Sequence, residues 1–429
     1  MIYGVFIVSS ADKDLGYKLT AKRLAWSQGY LPLINVPVQI PATIAKRSKA
    51  DLTDADVLAF RFSADGPVDR FLADCRTVTG KTSDRNKAAT DRIFWVRGLA
   101  DYLRAQNVYL FKTTIADNAR WLASQIGIIP LDEFEQRTLI SRLGLDSLKG
   151  PYFDLGSKEA LVRLQTTFDR GTRYRDVASF LSFTIWSLPP SMRVLSLLDL
   201  LTPYEVNRTF NPKDHQHQAL VLLGGLQLGI SLGLAIASLG VADLEFLERR
   251  LRETLHDGPT AFQQKLKYMR EFSKLKGLPL DSEEAALDLH SFPLLLEVVN
   301  RLILRRNHLN DAIRLLDIAT YYHAVKQPFP HAPRWILDPI TQKLGADILA
   351  LFIRSNELPT EFLDLFNFPA SPPQPSPQQP AAEMANALGN GPEKDRPDQL
   401  PLVEAQPEPT KTNSEATTPV APSEKPPPS

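Results

Sequence analysis

The chain is poor in the residues that staple, ligate or anchor a protein. It has one cysteine, Cys75, among 429 residues. A lone thiol excludes a disulfide framework within the chain and a cysteine-based metal site, and it fits a reducing, cytoplasmic setting. Seven histidines show no ligand spacing; the HQH of 215–217 reads as a polar loop after NPKD. There is no phosphate-binding glycine loop, no nucleophile elbow and no short internal repeat. The opening MIYGVFIVSSADKD lacks a basic segment followed by a long apolar one, so it does not read as a signal peptide.

Net charge is missing too: 49 basic side chains balance 49 acidic ones. The balance is uneven along the chain. Residues 1–150 carry 21 Lys+Arg against 16 Asp+Glu, about +5, and the stretch from 370 carries 4 against 8, about −4. The early excess permits a nucleic-acid partner without demanding one.

What is present falls into three parts. Residues 1–135 mix helical and strand patterns. Leu15–Gln28 reads as a helix ended by Gly29, and INVPVQI as a strand kept at a sheet edge by Pro37. Residues 41–53 read as a basic loop. DVLAFRFS and VDRFLADCRT read as a hairpin turned by ADGP. TSDRNKAATDRIFWVRGLADYLRAQ reads as a helix, VYLFKT as a strand, and IADNARWLASQIGI as a second helix. The fold class expected is an α/β domain with a mixed central sheet flanked by helices. Residues 136–368 show long helical patterns, including the single run FPLLLEVVNRLILRRNHLNDAIRLLDIATYYHAV, and read as an all-α domain. Fifteen of 34 prolines fall after residue 369, so 369–429 reads as a disordered tail.

The hairpin carries the chemistry. Alternation puts Arg70, Leu72, Asp74 and Arg76 on one face of their strand and Phe71, Ala73 and Cys75 on the other. Asp56, on the partner strand, falls near the level of Asp74. Two carboxylates on adjacent strands suit Mg²⁺, with the Cys75 carbonyl as a further ligand. A metal there would activate water against a phosphodiester. Read without that chemistry, Asp56 is a strand-start acid paired with a lysine, Asp74 and Arg76 are a same-face ion pair, and Cys75 is a buried core thiol.

The order helix, strand, LTDADVLAF, turn, RFLADCRT, then a helix with DRIFWVRGLADYL resembles the PD-(D/E)XK restriction-endonuclease-like superfamily. VYLFKTTIADNARWLASQIGIIPLDE is similar to the strand and helix that close that core. The resemblance covers roughly residues 10–135. It implies Asp56 as the first acid, Asp74 as the second, and Arg76 where the family has its lysine. Arginine stays protonated and cannot act as a base, though its fork holds phosphate. Lys81 or, better, Lys87 would then stand in for the lysine, or hydrolysis is weakened or lost. Arg92 reads either as a phosphate contact or as a partner of Asp91 or Asp101. Phe94 and Trp95 read as core.

Two functions compete. One is a DNA-associated, Mg²⁺-dependent nuclease-like protein. The other is a non-catalytic DNA- or protein-binding protein that uses a degenerate nuclease fold, its helical part or its Pro-rich tail. ALVLLGGLQLGISLGLAIASLGV, 219–241, is long and apolar enough to span a bilayer, with Gly225, Gly229 and Gly233 on one face. Its Gln227, Ser231 and Ser238, and the lack of a second span, favour a buried central helix, with a membrane-anchored version of either function as the less favoured reading. The basic cluster RLILRRNH reads as a solvated helix face.

Overall fold

The computed structural model describes residues 14–39, 51–63, 67–76, 82–148, 152–153, 172–204, 209–239, 246–277, 287, 290–325 and 338–366, all within one compact unit, Met1–Ser371. The Pro-rich tail, Lys81, most of the basic loop and most of the ADGP turn lie outside the described residues.

The N-terminal part begins with helix α1 (Leu15–Ser27), which Gly29 follows in the left-handed region at φ 82°. Strand β1 (Leu31–Gln39) is an edge strand, as its prolines require: Pro32 and Pro37 have no N–H to give a second neighbour. It pairs antiparallel with β2 (Asp51–Arg61), which pairs antiparallel with β3 (Asp69–Arg76). The expected loop therefore ends earlier than read, since residues 51–53 already belong to β2 and Thr53 pairs with Val38.

Helix α2 (Thr82–Leu103) then carries the chain to β4 (Asn107–Lys112), parallel to β3. Helix α3 (Asp117–Gln125) stops short of the helix expected there. Gly127, at φ 74°, turns the chain, and Ile128–Leu131 forms a fifth strand, β5, parallel to β4. The apolar run IIPL completes pairing with Val108–Phe111, which outweighs its continuation of a helical pattern. Helix α4 (Glu133–Arg142) follows, opened by a reciprocal capping box between Asp132 and Glu135. The sheet is mixed and runs β1-β2-β3-β4-β5.

Alternation sorts the sheet into two faces. Val57, Ala59, Phe71, Ala73, Cys75, Tyr109 and Phe111 pack with Ala21, Leu24 and Ala25 of α1. Leu58, Phe60, Leu72, Val108 and Leu110 pack with Ile93, Val96 and Ala100 of α2. That second cluster continues into the C-terminal helices without a break. Asp56, Asp74 and Arg76 share the parity of the α2 face.

The C-terminal part is helical: α5 (Thr172–Ser182), α6 (Pro190–Leu198), α7 (His215–Leu239), α8 (Leu247–Leu255), α9 (Pro259–Lys276), α10 (Phe292–Leu304), α11 (Arg306–Val325) and α12 (Pro339–Ser355). The long run from 292 to 325 breaks at Arg305 into α10 and α11. The apolar stretch at 219–241 lies mostly in α7, the centre of this part, with 94% of its most apolar window buried. Its glycines admit close neighbours. A Cβ on Gly225 would lie 3.0 Å from Leu349, one on Gly229 would lie 3.3 Å from Ile313, and one on Gly233 would lie 2.5 Å from Phe62, just beyond β2. The small-residue face is thus filled by α11, α12 and the sheet. His215 opens α7, so HQH is a helix start; His217 Nδ1 accepts the Asn211 N–H at 2.8 Å.

A buried charged cluster ties α1 to α11. Lys22 donates to the Tyr152 carbonyl at 2.9 Å and sits 3.7 Å from that ring's centre. The Tyr152 hydroxyl bonds Asp317. Burial lowers the Lys22 pKa to about 8, against the opposing pull of Asp317. Below about pH 8 Lys22 is charged in both states, and folding bears the full cost of burying it. Between about 8 and 10.5 the unfolded chain holds a proton that the folded one has released, so this contribution to stability rises with pH. Urea melts of wild type and Lys22→Met, compared between neutral and alkaline pH, are expected to show wild type gaining about 2–3 kcal/mol on the variant. A flat difference would refute this.

Candidate functional site

The antiparallel pairing of β2 with β3 ends at Val57↔Ala73, which leaves Asp56 and Asp74 one step further along, beside the carboxyl ends of β3 and β4. The two acids approach closely enough to feel each other, since Asp74 helps raise the Asp56 pKa after burial, the larger cause. The sequence reading placed them at one level, and there they stand. Their partners differ from those expected.

Asp56 is mostly buried, its side chain 15% exposed. Its Oδ2 accepts the Cys75 N–H at 2.8 Å, bridging the place where the two strands part. Its Oδ1 lies 3.3 Å from Lys18 Nζ of α1, and that lysine also donates to Asn35 at 2.9 Å. Both contacts favour the charged carboxylate and oppose the effect of burial. Asp74 is almost wholly buried, its side chain 5% exposed. Arg92 of α2 grips it through both carboxylate oxygens, Nε donating to Oδ2 at 3.0 Å and Nη2 to Oδ1. The guanidinium lies 3.8 Å from the centre of the Trp95 ring. Arg92 therefore pairs with neither Asp91 nor Asp101; Asp101 is taken by Arg97, four residues before it on α2. Trp95 is partly buried beneath Arg92, while Phe94, read as core, is 56% exposed.

Arg76 is exposed at the end of β3, and among the described residues it forms no ion pair with Asp74, whose partner is Arg92. On β4 its register partner is Lys112. Lys112 is half-buried; burial lowers its pKa, Asp74 raises it, and Arg92 and Arg76 lower it further. Three cations thus gather at the carboxyl ends of two parallel strands, a position where open α/β sheets bind ligands. The sequence reading missed Lys112. The buried Cys75 thiol is held protonated, first by burial and then by Asp56 and Asp74. Lys87 falls within α2, but its side chain lies outside the described residues.

These acids do not fit a hard cation as they stand. Asp74 has both oxygens on Arg92, and Asp56 has one on an N–H and one beside an ammonium. Among the described residues no three His, Cys, Asp or Glu side chains converge. The basic cluster at 301–308 also has partners of its own: Arg301 pairs with Glu297 and Asp347, and His308 with Asp338. No family model, curated protein or solved structure matches the chain.

Proposed function

We propose that the chain is a nucleic-acid-associated, nuclease-like protein that holds a phosphodiester backbone at the ends of β3 and β4, and that metal-dependent hydrolysis has been lost. The observation that carries this reading is the Arg92 grip on both oxygens of Asp74, beside an exposed Arg76 and a half-buried Lys112. A guanidinium fork on the acid replaces the contact a metal would need. Arg76 presents a second fork, suited to phosphate oxygens. Lys112 adds a point charge that its surroundings tune downward but leave cationic below its shifted pKa. Asp56 holds the strand ends in place through Cys75 and Lys18.

The test compares cleavage of linear and plasmid DNA in Mg²⁺ and Mn²⁺ by wild type, Asp74→Ala and Arg76→Lys. The expected result is equal background from all three. Wild-type cleavage that Asp74→Ala abolishes would overturn the loss of hydrolysis. Cleavage that appears only in Arg76→Lys would show a site intact but for one residue, and would overturn it equally.

A further inference from the structure

Helix α9 (Pro259–Lys276) has one anchored end and one free face. Phe262 and Leu266 are buried, fastening its first half. Beyond them Tyr268, Phe272 and Leu275 are 68%, 52% and 84% exposed. By helical geometry these three fall within about 60° of one another, over roughly 10 Å of helix axis, on the side away from the anchors. The same helix has five basic residues and one acid, Glu271. Lys276 borders the apolar stripe on one side; on the other Glu271 borders it, with Lys267 and Lys274 about 80–100° round the helix from the stripe's edge, all four exposed. Neither Lys267 nor Lys274 forms an ion pair among the described residues.

An apolar stripe on a helix with five basic residues and one acid, turned outward from its own fold, needs a partner that is negatively charged and apolar beneath the charge. We propose that α9 docks on an anionic phospholipid surface, with Tyr268, Phe272 and Leu275 entering the interface and the lysines reaching headgroup phosphates. Charge complementarity fixes the sign of the partner. The chemistry of the stripe fixes its kind. Leu275, the most exposed of the three, has no ring to stack on a base, as an aromatic platform for single-stranded nucleic acid would require. Aliphatic and aromatic side chains together, above a row of lysines with long stems, suit the boundary between headgroup and acyl chain. This contact is peripheral. It leaves α7 in the protein core and does not depend on the nucleic-acid site.

The test is co-sedimentation of the full chain with vesicles of phosphatidylcholine alone and with vesicles that also contain phosphatidylglycerol. Wild type is expected to bind the anionic vesicles and not the neutral ones. Tyr268→Ser/Phe272→Ser/Leu275→Ser is expected to lose at least about tenfold in partitioning, since binding follows the apolar area buried. Lys267→Gln/Lys274→Gln, at exposed positions, is expected to lose about thirtyfold on anionic vesicles. Equal binding to both vesicle types, no binding to either, or binding that survives both sets of substitutions would overturn the proposal. So would a single-stranded oligonucleotide that the triple variant fails to bind when vesicles are not bound at all. Duplex binding at the strand ends is read separately, so either reading can fail alone.

Discussion

Replacing Arg92 with alanine is expected to cost the fold about 3 kcal/mol, the lower end of the range for removing one side of a buried ion pair. The reason lies in what remains. Asp74 would keep its burial, with a side chain 5% exposed, and lose the donors on both oxygens. Arg92 itself is 21% exposed, so water can partly enter the space it leaves, which places the cost at the lower end. The loss of the Arg92 contact with the Trp95 ring is a smaller part. The same substitution in an Asp74→Asn background is expected to cost much less, because a neutral amide does not need the cation. Urea melts of the four proteins measure the coupling between the two residues. Strict additivity, or an Arg92→Ala variant as stable as wild type, would show that the pair does not hold this end of the sheet.

That pair also marks the limit of what the amino-acid sequence makes legible. Strand alternation put Asp74 and Arg76 on one face, and the position of Pro37 made β1 an edge; both follow from short-range pattern. The partner of Asp74 depends on how α2 lies across the sheet. Local spacing suggested Asp91 or Asp101 for Arg92. A signal for the observed pairing was present all the same: Arg92 falls on the helix face of Val96 and Leu99, which are buried, and a charge in an apolar stripe implies a buried counter-charge. Lys112 gave no such signal. It stands at a strand end, and its neighbourhood with Arg76 comes from parallel pairing of β3 with β4, which periodicity does not encode. Phe94 shows the reverse failure, an aromatic residue read as core that the helix turns outward. The missing fifth strand is a case of competition. IIPL extends a helical pattern, yet Gly127 in the left-handed region ends the helix and frees those residues to pair. In α7 the sequence left a membrane span and a core helix both open, and the contacts of Gly225, Gly229 and Gly233 with residues far along the chain account for its glycines as a packing surface.

The second large effect concerns the cations at the strand ends. If Arg76 and Lys112 hold phosphates, reversing both charges removes two contacts and puts two repulsive groups in their place. Binding of duplex DNA is then expected to weaken on the order of a hundredfold, and the slope of log affinity against log salt to become shallower by about two. Arg76 is exposed at a strand end, which spares the core from that half of the change. Lys112 is half-buried, so Lys112→Gln serves as a milder companion if the reversed variant unfolds. The most direct measurement is fluorescence anisotropy of a labelled DNA duplex, titrated with wild type and with Arg76→Glu/Lys112→Glu over a range of salt, in chelator throughout. The account predicts wild-type binding without divalent metal, a clear loss in the variant and a reduced salt slope. Binding that requires Mg²⁺, or that is the same in both proteins, would contradict it.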